Sequence, residues 1–251
     1  MKPELEDDRR RRRGIYLLPN LFTTAGLFAG FYAIVAAMKG IYDLAAVAIF
    51  VAMIMDALDG RVARLTNTQS AFGAEFDSLS DMVSFGMAPA LVVFSWSLAT
   101  LGKLGWLAAF IYAAAGALRL ARFNTQIGKA DKRYFQGLPI PAAAGVVASM
   151  VWLANEYNVP GGEINILVAV VTVLTAILMV SNIRYHSFKQ IDLRGRIPFV
   201  GILVVVLVFV GISLDPPKVL FLIFFGYAIL GPILTLWSLR KARLQRRQHG
   251  H

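Results

Sequence analysis

Eight long apolar runs separated by short polar stretches restrict this chain to one kind of fold. They lie at about Ile15–Met38, Ile41–Leu65, Gly73–Ala99, Leu104–Leu120, Pro141–Glu156, Ile164–Ile183, Ile197–Leu214 and Val219–Leu239. A helix of about 20 apolar residues crosses the hydrocarbon core of a bilayer with every backbone polar group satisfied internally. The expected fold is therefore all-α: a polytopic membrane bundle of about eight transmembrane helices. The chain is 57% hydrophobic and only 16% charged, where a soluble domain carries roughly 25% charged residues. The first run contains Pro19 and Asn20 and has no small-residue cleavage site, so no cleavable signal peptide is expected. Cysteine is absent, which excludes disulfides and thiolate chemistry.

Charge orients the bundle. The formal net charge of +10 is concentrated in the tails and in alternate loops. The N-terminal tail with Arg9 to Arg13, the loop from Arg61 to Gly73, the loop after Arg119, the loop from Arg184 to Arg196 and the C-terminal tail are rich in Lys or Arg. The intervening turns hold little basic charge. The positive-inside rule then puts both termini in the cytoplasm. The chain divides into a basic cytoplasmic segment over residues 1–14, a transmembrane domain over 15–240 and a basic tail over 241–251. Its basicity signals topology rather than nucleic-acid binding, since no soluble domain is present to hold a nucleic acid. No internal repeat is visible.

Within the second and third runs lies DALDGRVARLTNTQSAFGAEFDSLSD, residues 56–81. Its polar skeleton is D-x2-D-G-x2-A-R-x8-G-x3-D-x3-D, formed by Asp56, Asp59, Gly60, Ala63, Arg64, Gly73, Asp77 and Asp81. Asp56 and Asp59 are three residues apart and Asp77 and Asp81 four, so each pair shares one helix face. The segment LTNTQSAF reads as the turn between the two helices. Carboxylates within apolar flanks such as VAIFVAMIMDALDG are costly and mark function. Four of them converging on one volume require cations to stay ionised. Oxygen-only ligands suit Mg2+ or Mn2+, with Ca2+ as another possible occupant, and two ions can share the four groups.

Other polar residues fall at the same membrane face. Pro19, Asn20, Thr23 and Thr24 interrupt the start of the first span. Ser84, Phe85 and Gly86 follow the last aspartate, and Pro89 is expected to kink the third helix. Arg119 and Arg122 end the fourth span, as anchors at the boundary or as ligands for a phosphate or carboxylate. A basic loop with Lys129, Lys132 and Arg133 leads into FQGLPIPAAAG, which reads as a re-entrant or bent approach to the fifth helix. His186 is isolated and reads as a surface or interface residue; the closing His-Gly-His is too short to form a metal site.

The skeleton from Asp56 to Asp81 resembles the signature of the CDP-alcohol phosphotransferases, a family of membrane-embedded, all-helical homodimers. Eight positions at fixed spacing make the match specific. The resemblance implies that Asp56, Asp59 and Asp77 hold one divalent cation and that Asp56, Asp77 and Asp81 hold another. It implies that Asp81 is the general base. It places Asn20, Thr23, Asp59, Gly60, Ala63, Arg64 and Gly73 at the CDP and diphosphate site. S-F-G after the fourth aspartate, RLARFN and F-x-G-L-P-I-P-A resemble the integral-membrane phosphatidylserine synthase branch. That branch implies transfer of a phosphatidyl group from CDP-diacylglycerol to L-serine at the cytoplasmic face of the inner membrane, among membrane lipids. Candidate acceptor residues are Ser84, Arg119, Arg122 and Gly137.

Glycerol-3-phosphate or inositol phosphate would also favour basic residues, so charge leaves the acceptor open. Intramembrane carboxylates also build divalent-cation transporters. Against transport, the acids cluster at one face, no polar series continues through the other half of the membrane, and inverted repeats are lacking. A non-catalytic membrane scaffold would not require all eight positions.

Overall fold

The computed structural model describes residues 3–126, 134–186 and 199–248. Lys129, Lys132, Arg133, most of the loop that ends at Arg196, and the closing His-Gly-His lie outside the described residues, as do the side chains of Arg9 to Arg13 and of His186.

The chain is an all-α, multi-pass membrane protein. Its elements are α1 (Pro3–Met38), α2 (Tyr42–Leu65), α3 (Ala71–Asp81), a π-helical turn (Met82–Met87), α4 (Ala88–Trp96), a 3-10 turn (Leu98–Leu101), α5 (Lys103–Gln126), β1 (Tyr134–Gln136), α6 (Ile140–Glu156), α7 (Asn165–Val180), β2 (Arg184–His186), α8 (Phe199–Leu214) and α9 (Pro216–Gln248). The π turn joins α3 and α4 into one rod, so the described residues form eight helical rods. Among the described residues, four helices are long and apolar enough to cross a membrane: Leu18–Met38, Ala71–Trp96, Lys103–Thr125 and Pro216–Thr235. Helices α6 and α7 are apolar but shorter, at 17 and 16 residues. At a rise of about 1.5 Å per residue they fall short of a core about 30 Å thick.

Small residues let the helices approach. Ala33, Ala36 and Ala37 of α1 and Ala45, Ala46, Ala48 and Ala52 of α2 are all buried in the core. Lipid chains are as apolar as leucine, so close packing of small side chains replaces the hydrophobic drive between helices. The turn joining α1 and α2 passes through Gly40 at φ +74°, a conformation glycine adopts without a Cβ clash. Helix α6 runs through the middle of the bundle, with Ala142 to Val151 buried, and packs on α2, α9, α4 and α7. Its Pro139-Ile140-Pro141 start puts proline where a helix has no need of the missing N–H.

Two local features take a form that helical periodicity alone does not specify. The bent approach to α6 is a pair of three-residue antiparallel strands, with Phe135 opposite Tyr185. Gly137 follows at φ +76°, and a Cβ there would collide with the Met179 carbonyl oxygen at the end of α7. The disturbance near Pro89 is the π turn that precedes it, where the Ala88 N–H reaches back to the Val83 carbonyl.

At the other end of the bundle Lys218 Nζ lies 2.6 Å from Asp215 Oδ2 and 4.8 Å from the ring centroid of Tyr157. Asn155 Nδ2 donates to Asp43 Oδ1 at 2.6 Å. These contacts tie α9 to the end of α6, and α6 to the start of α2.

Candidate active site

The two halves of the acidic motif meet as their spacing predicts. Asp56 and Asp59 lie on the last turns of α2, and Asp77 and Asp81 on α3. The turn between them is Thr66 to Ser70, shorter than the sequence segment, because Ala71 and Phe72 already belong to α3. Asn67 adopts φ +52° in this turn, a conformation asparagine tolerates better than most residues. Ser70 caps α3 by accepting the Gly73 N–H at 3.0 Å. One carboxylate oxygen each from Asp56, Asp59 and Asp77 lies within 4.8 Å of the others. Asp81 joins these three around a small recess floored by Ala52 and Phe85. No other such group of three occurs among the described residues.

Helix α1 supplies the third wall. Thr23 is buried, and its hydroxyl lies 2.8 Å from Asp59 Oδ2 and 3.1 Å from the Pro19 carbonyl oxygen. It has one proton to give, and the shorter, charge-assisted bond goes to the carboxylate. Thr24 donates to the Asn20 carbonyl at 2.7 Å instead. Ser80 donates to the Thr23 carbonyl at 3.2 Å and Ser84 to the Gly26 carbonyl at 3.1 Å. These bonds pin the rod carrying Asp77 and Asp81 against α1. They form because Gly30 has no side chain: a Cβ there would lie 2.6 Å from Ser84 Cα.

The remaining motif residues, Gly60, Ala63, Arg64 and Gly73, are not among the residues that line the recess. Gly73 sits beside Asn20, whose Oδ1 would be 3.6 Å from a Cβ at that position. Gly60 faces the Arg64 guanidinium, which interacts electrostatically with Asp59. Ala63 accepts the Thr68 N–H at 3.1 Å as the chain leaves α2. Arg64 itself is exposed.

The two arginines of α5 have different surroundings. Arg119 is 8% exposed, its Nε is buried without a hydrogen-bond partner, and it interacts electrostatically with Asp81 and Tyr227. Arg122 Nη2 donates to the Val180 carbonyl at 3.0 Å, and Nη1 reaches the Ser181 carbonyl at 3.3 Å and Asn182 Oδ1 at 3.4 Å. It closes the C-terminus of α7, where orphaned carbonyls and the negative end of the helix dipole favour a cation. Gly137 lies at the same helix end. Nothing in the RLARFN spacing distinguishes the two arginines.

Reading the sequence alone also missed Gly26 and Gly30, whose G-x3-G spacing in an apolar run was an available signal. Asn124, the last residue of RLARFN, donates from Nδ2 to Ser78 at 3.1 Å and ties α5 to α3.

The chain matches the model of a family described as CDP-alcohol phosphatidyltransferase over residues 16–183. It is 39% identical over 228 residues to a CDP-diacylglycerol–serine O-phosphatidyltransferase from Helicobacter pylori, covering 90% of this chain and 94% of that protein. A protein of the same name from Bacillus subtilis is 36% identical over 173 residues, 69% of this chain and 92% of the relative. Another, from Methanocaldococcus jannaschii, is 39% identical over 142 residues, 57% of this chain and 63% of the relative. The matched region runs from α1 through α7 and so contains every wall of the acidic recess. With its four aspartates gathered there on α2 and α3, the chain belongs to the CDP-alcohol phosphatidyltransferase family.

Proposed function

We propose that this protein transfers the phosphatidyl group of CDP-diacylglycerol to the hydroxyl of L-serine, giving phosphatidylserine and CMP. One observation supports it above the rest: three carboxylates with ligand oxygens within 4.8 Å, beside a fourth, in a chain whose relatives along most of its length are named for this reaction. Their all-oxygen donor set fits hard divalent cations such as Mg2+ or Mn2+. Asp56, Asp59 and Asp77 would hold one ion, and Asp56, Asp77 and Asp81 a second. When bound, such ions neutralise the diphosphate and polarise its phosphorus.

The chain's own residues divide the remaining work. Asp81 accepts the proton of the serine hydroxyl. The serine oxygen forms a bond to the phosphatidyl phosphorus, and the bond from that phosphorus to the CMP oxygen breaks. Thr23 holds Asp59 in orientation through its 2.8 Å hydrogen bond. Asn20, Thr23, Asp59, Gly60, Ala63, Arg64 and Gly73 form the CDP and diphosphate site. Arg119, buried and in electrostatic interaction with Asp81, takes the serine carboxylate, since guanidinium matches carboxylate geometry. Ser84, Arg122 and Gly137 shape the acceptor side, Arg122 and Gly137 by fixing the end of α7.

The reaction takes place at the cytoplasmic face of the inner membrane, where polar substrates arrive from water and the diacylglycerol chains stay in lipid. Residues 1–14 and 241–251 flank a transmembrane catalytic domain over 15–240 as basic cytoplasmic segments. The functional unit is a homodimer.

The test is CMP release by purified protein from CDP-diacylglycerol with Mg2+ or Mn2+, adding serine, glycerol-3-phosphate or inositol phosphate separately. Serine-dependent release is expected. Asp81→Asn is expected to abolish it while donor binding persists; full turnover by that variant would remove the base assignment. Release only with another acceptor would keep the family and overturn serine. No release, with divalent ions crossing proteoliposomes, would support transport instead.

A further inference from the structure

We infer that Tyr112 is a positioning residue for Asp81, acting through the π turn that follows it; the inference rests on the transferase reading above. Tyr112 lies in the middle of α5, fully buried, and its hydroxyl donates to the Phe85 carbonyl at 3.2 Å. Phe85 is inside the π turn Met82–Met87 and lines the acidic recess with Asp81 and Ser84. Pro89, four residues after Phe85, has no N–H with which to make the ordinary α-helical bond to that carbonyl. Tyr112 gives the carbonyl a donor from the neighbouring helix. Helix α5 also meets the turn at two glycines: a Cβ at Gly116 would be in ordinary contact with Gly86 Cα, at 3.5 Å.

The turn sets the register of the site. One extra residue in a helical turn rotates everything beyond it by about 100° relative to a continuous α-helix. Asp77 and Asp81 precede the insertion and keep α spacing toward the aspartates of α2. Ser84, within the turn, bonds the Gly26 carbonyl of α1. If the turn relaxed to an α-helix, Ser84 and Asp81 could not both keep these places. π turns are frequent at functional sites. The pair Tyr112 and Pro89 therefore works in one direction, Pro89 by withholding the α-helical donor and Tyr112 by supplying another.

The experiment compares the full-length wild type with Tyr112→Phe and Pro89→Ala in serine-dependent CMP release, with thermal melting of each protein in detergent. Tyr112→Phe is expected to lower kcat by about tenfold to a hundredfold, the range for misplacing a reacting group by a fraction of an ångström to an ångström. KM for both substrates should stay near the wild-type value, as when an interaction specific to the transition state is lost. Pro89→Ala restores an N–H opposite the Phe85 carbonyl and removes a helix breaker. It should melt no lower than wild type and still lose kcat. A purely structural role would make kcat and melting fall together. Unchanged kcat in either variant, or a loss confined to KM, overturns the inference. If Tyr112→Phe does not fold, Pro89→Ala decides alone. Wild-type protein releasing no CMP with any acceptor would refute the transferase reading itself, whereas an active wild type matched by an equally active Pro89→Ala refutes only the role of the turn.

Discussion

Replacing Gly30 with alanine should damage activity out of proportion to the size of the change. The added Cβ would lie 2.6 Å from Ser84 Cα and 2.8 Å from Ser84 Cβ, where ordinary contact begins near 3.4 Å. Both groups lie on helices, so no flexible side chain can swing aside. Helix α1 and the rod bearing Asp77 and Asp81 must part by ~0.8 Å, or Ser84 must give up the Gly26 carbonyl. Overpacking of this kind costs about 1–3 kcal/mol of stability. The shift falls between Thr23, which orients Asp59, and the helix carrying Asp81, so kcat should drop by up to about a hundredfold. Gly226→Ala is the control, since a Cβ there meets nothing within 4 Å. CMP release and thermal melting, measured on both variants in the same detergent, give the comparison. Wild-type kcat and melting in Gly30→Ala would show that the close approach of the two helices does not position the carboxylates.

Thr23→Val should leave Asp59 without its side-chain donor and lower stability by about 1.5–3 kcal/mol, with Thr23→Ser restoring most of it; melting curves of the three proteins check this. Arg119→Lys should raise the KM for serine with little change in the KM for CDP-diacylglycerol, because a guanidinium pairs with a carboxylate in two bonds and an ammonium does not. Arg122→Ala should instead lower the melting temperature, by removing the cation that closes the end of α7. Chelation with EDTA should abolish CMP release and lower the melting temperature, since four gathered carboxylates repel without cations; unchanged melting would count against tight metal binding.

The sequence alone determined the membrane bundle and the acidic site. Long apolar runs can satisfy their backbones only as helices, and helical periodicity puts Asp56 with Asp59 and Asp77 with Asp81 on common faces. The short polar turn keeps the two helices adjacent, and their packing turns the two faces toward one another. The start of α6 was legible at its prolines, where local chemistry decides, whereas α3 begins at Ala71, two residues before the Gly73 start read from the sequence. Four outcomes needed the tertiary structure: the separate surroundings of Arg119 and Arg122, the π turn, the β1–β2 pairing and the clasp of Thr23 on Asp59. Each depends on a partner far along the chain: the end of α7 for Arg122, Tyr112 for Phe85, residues 184–186 for 134–136, and α2 for Thr23. Spacing reports which residues share a face of one helix. Only packing decides what that face meets, and therefore which of two similar arginines closes a helix and which lies buried in electrostatic interaction with Asp81.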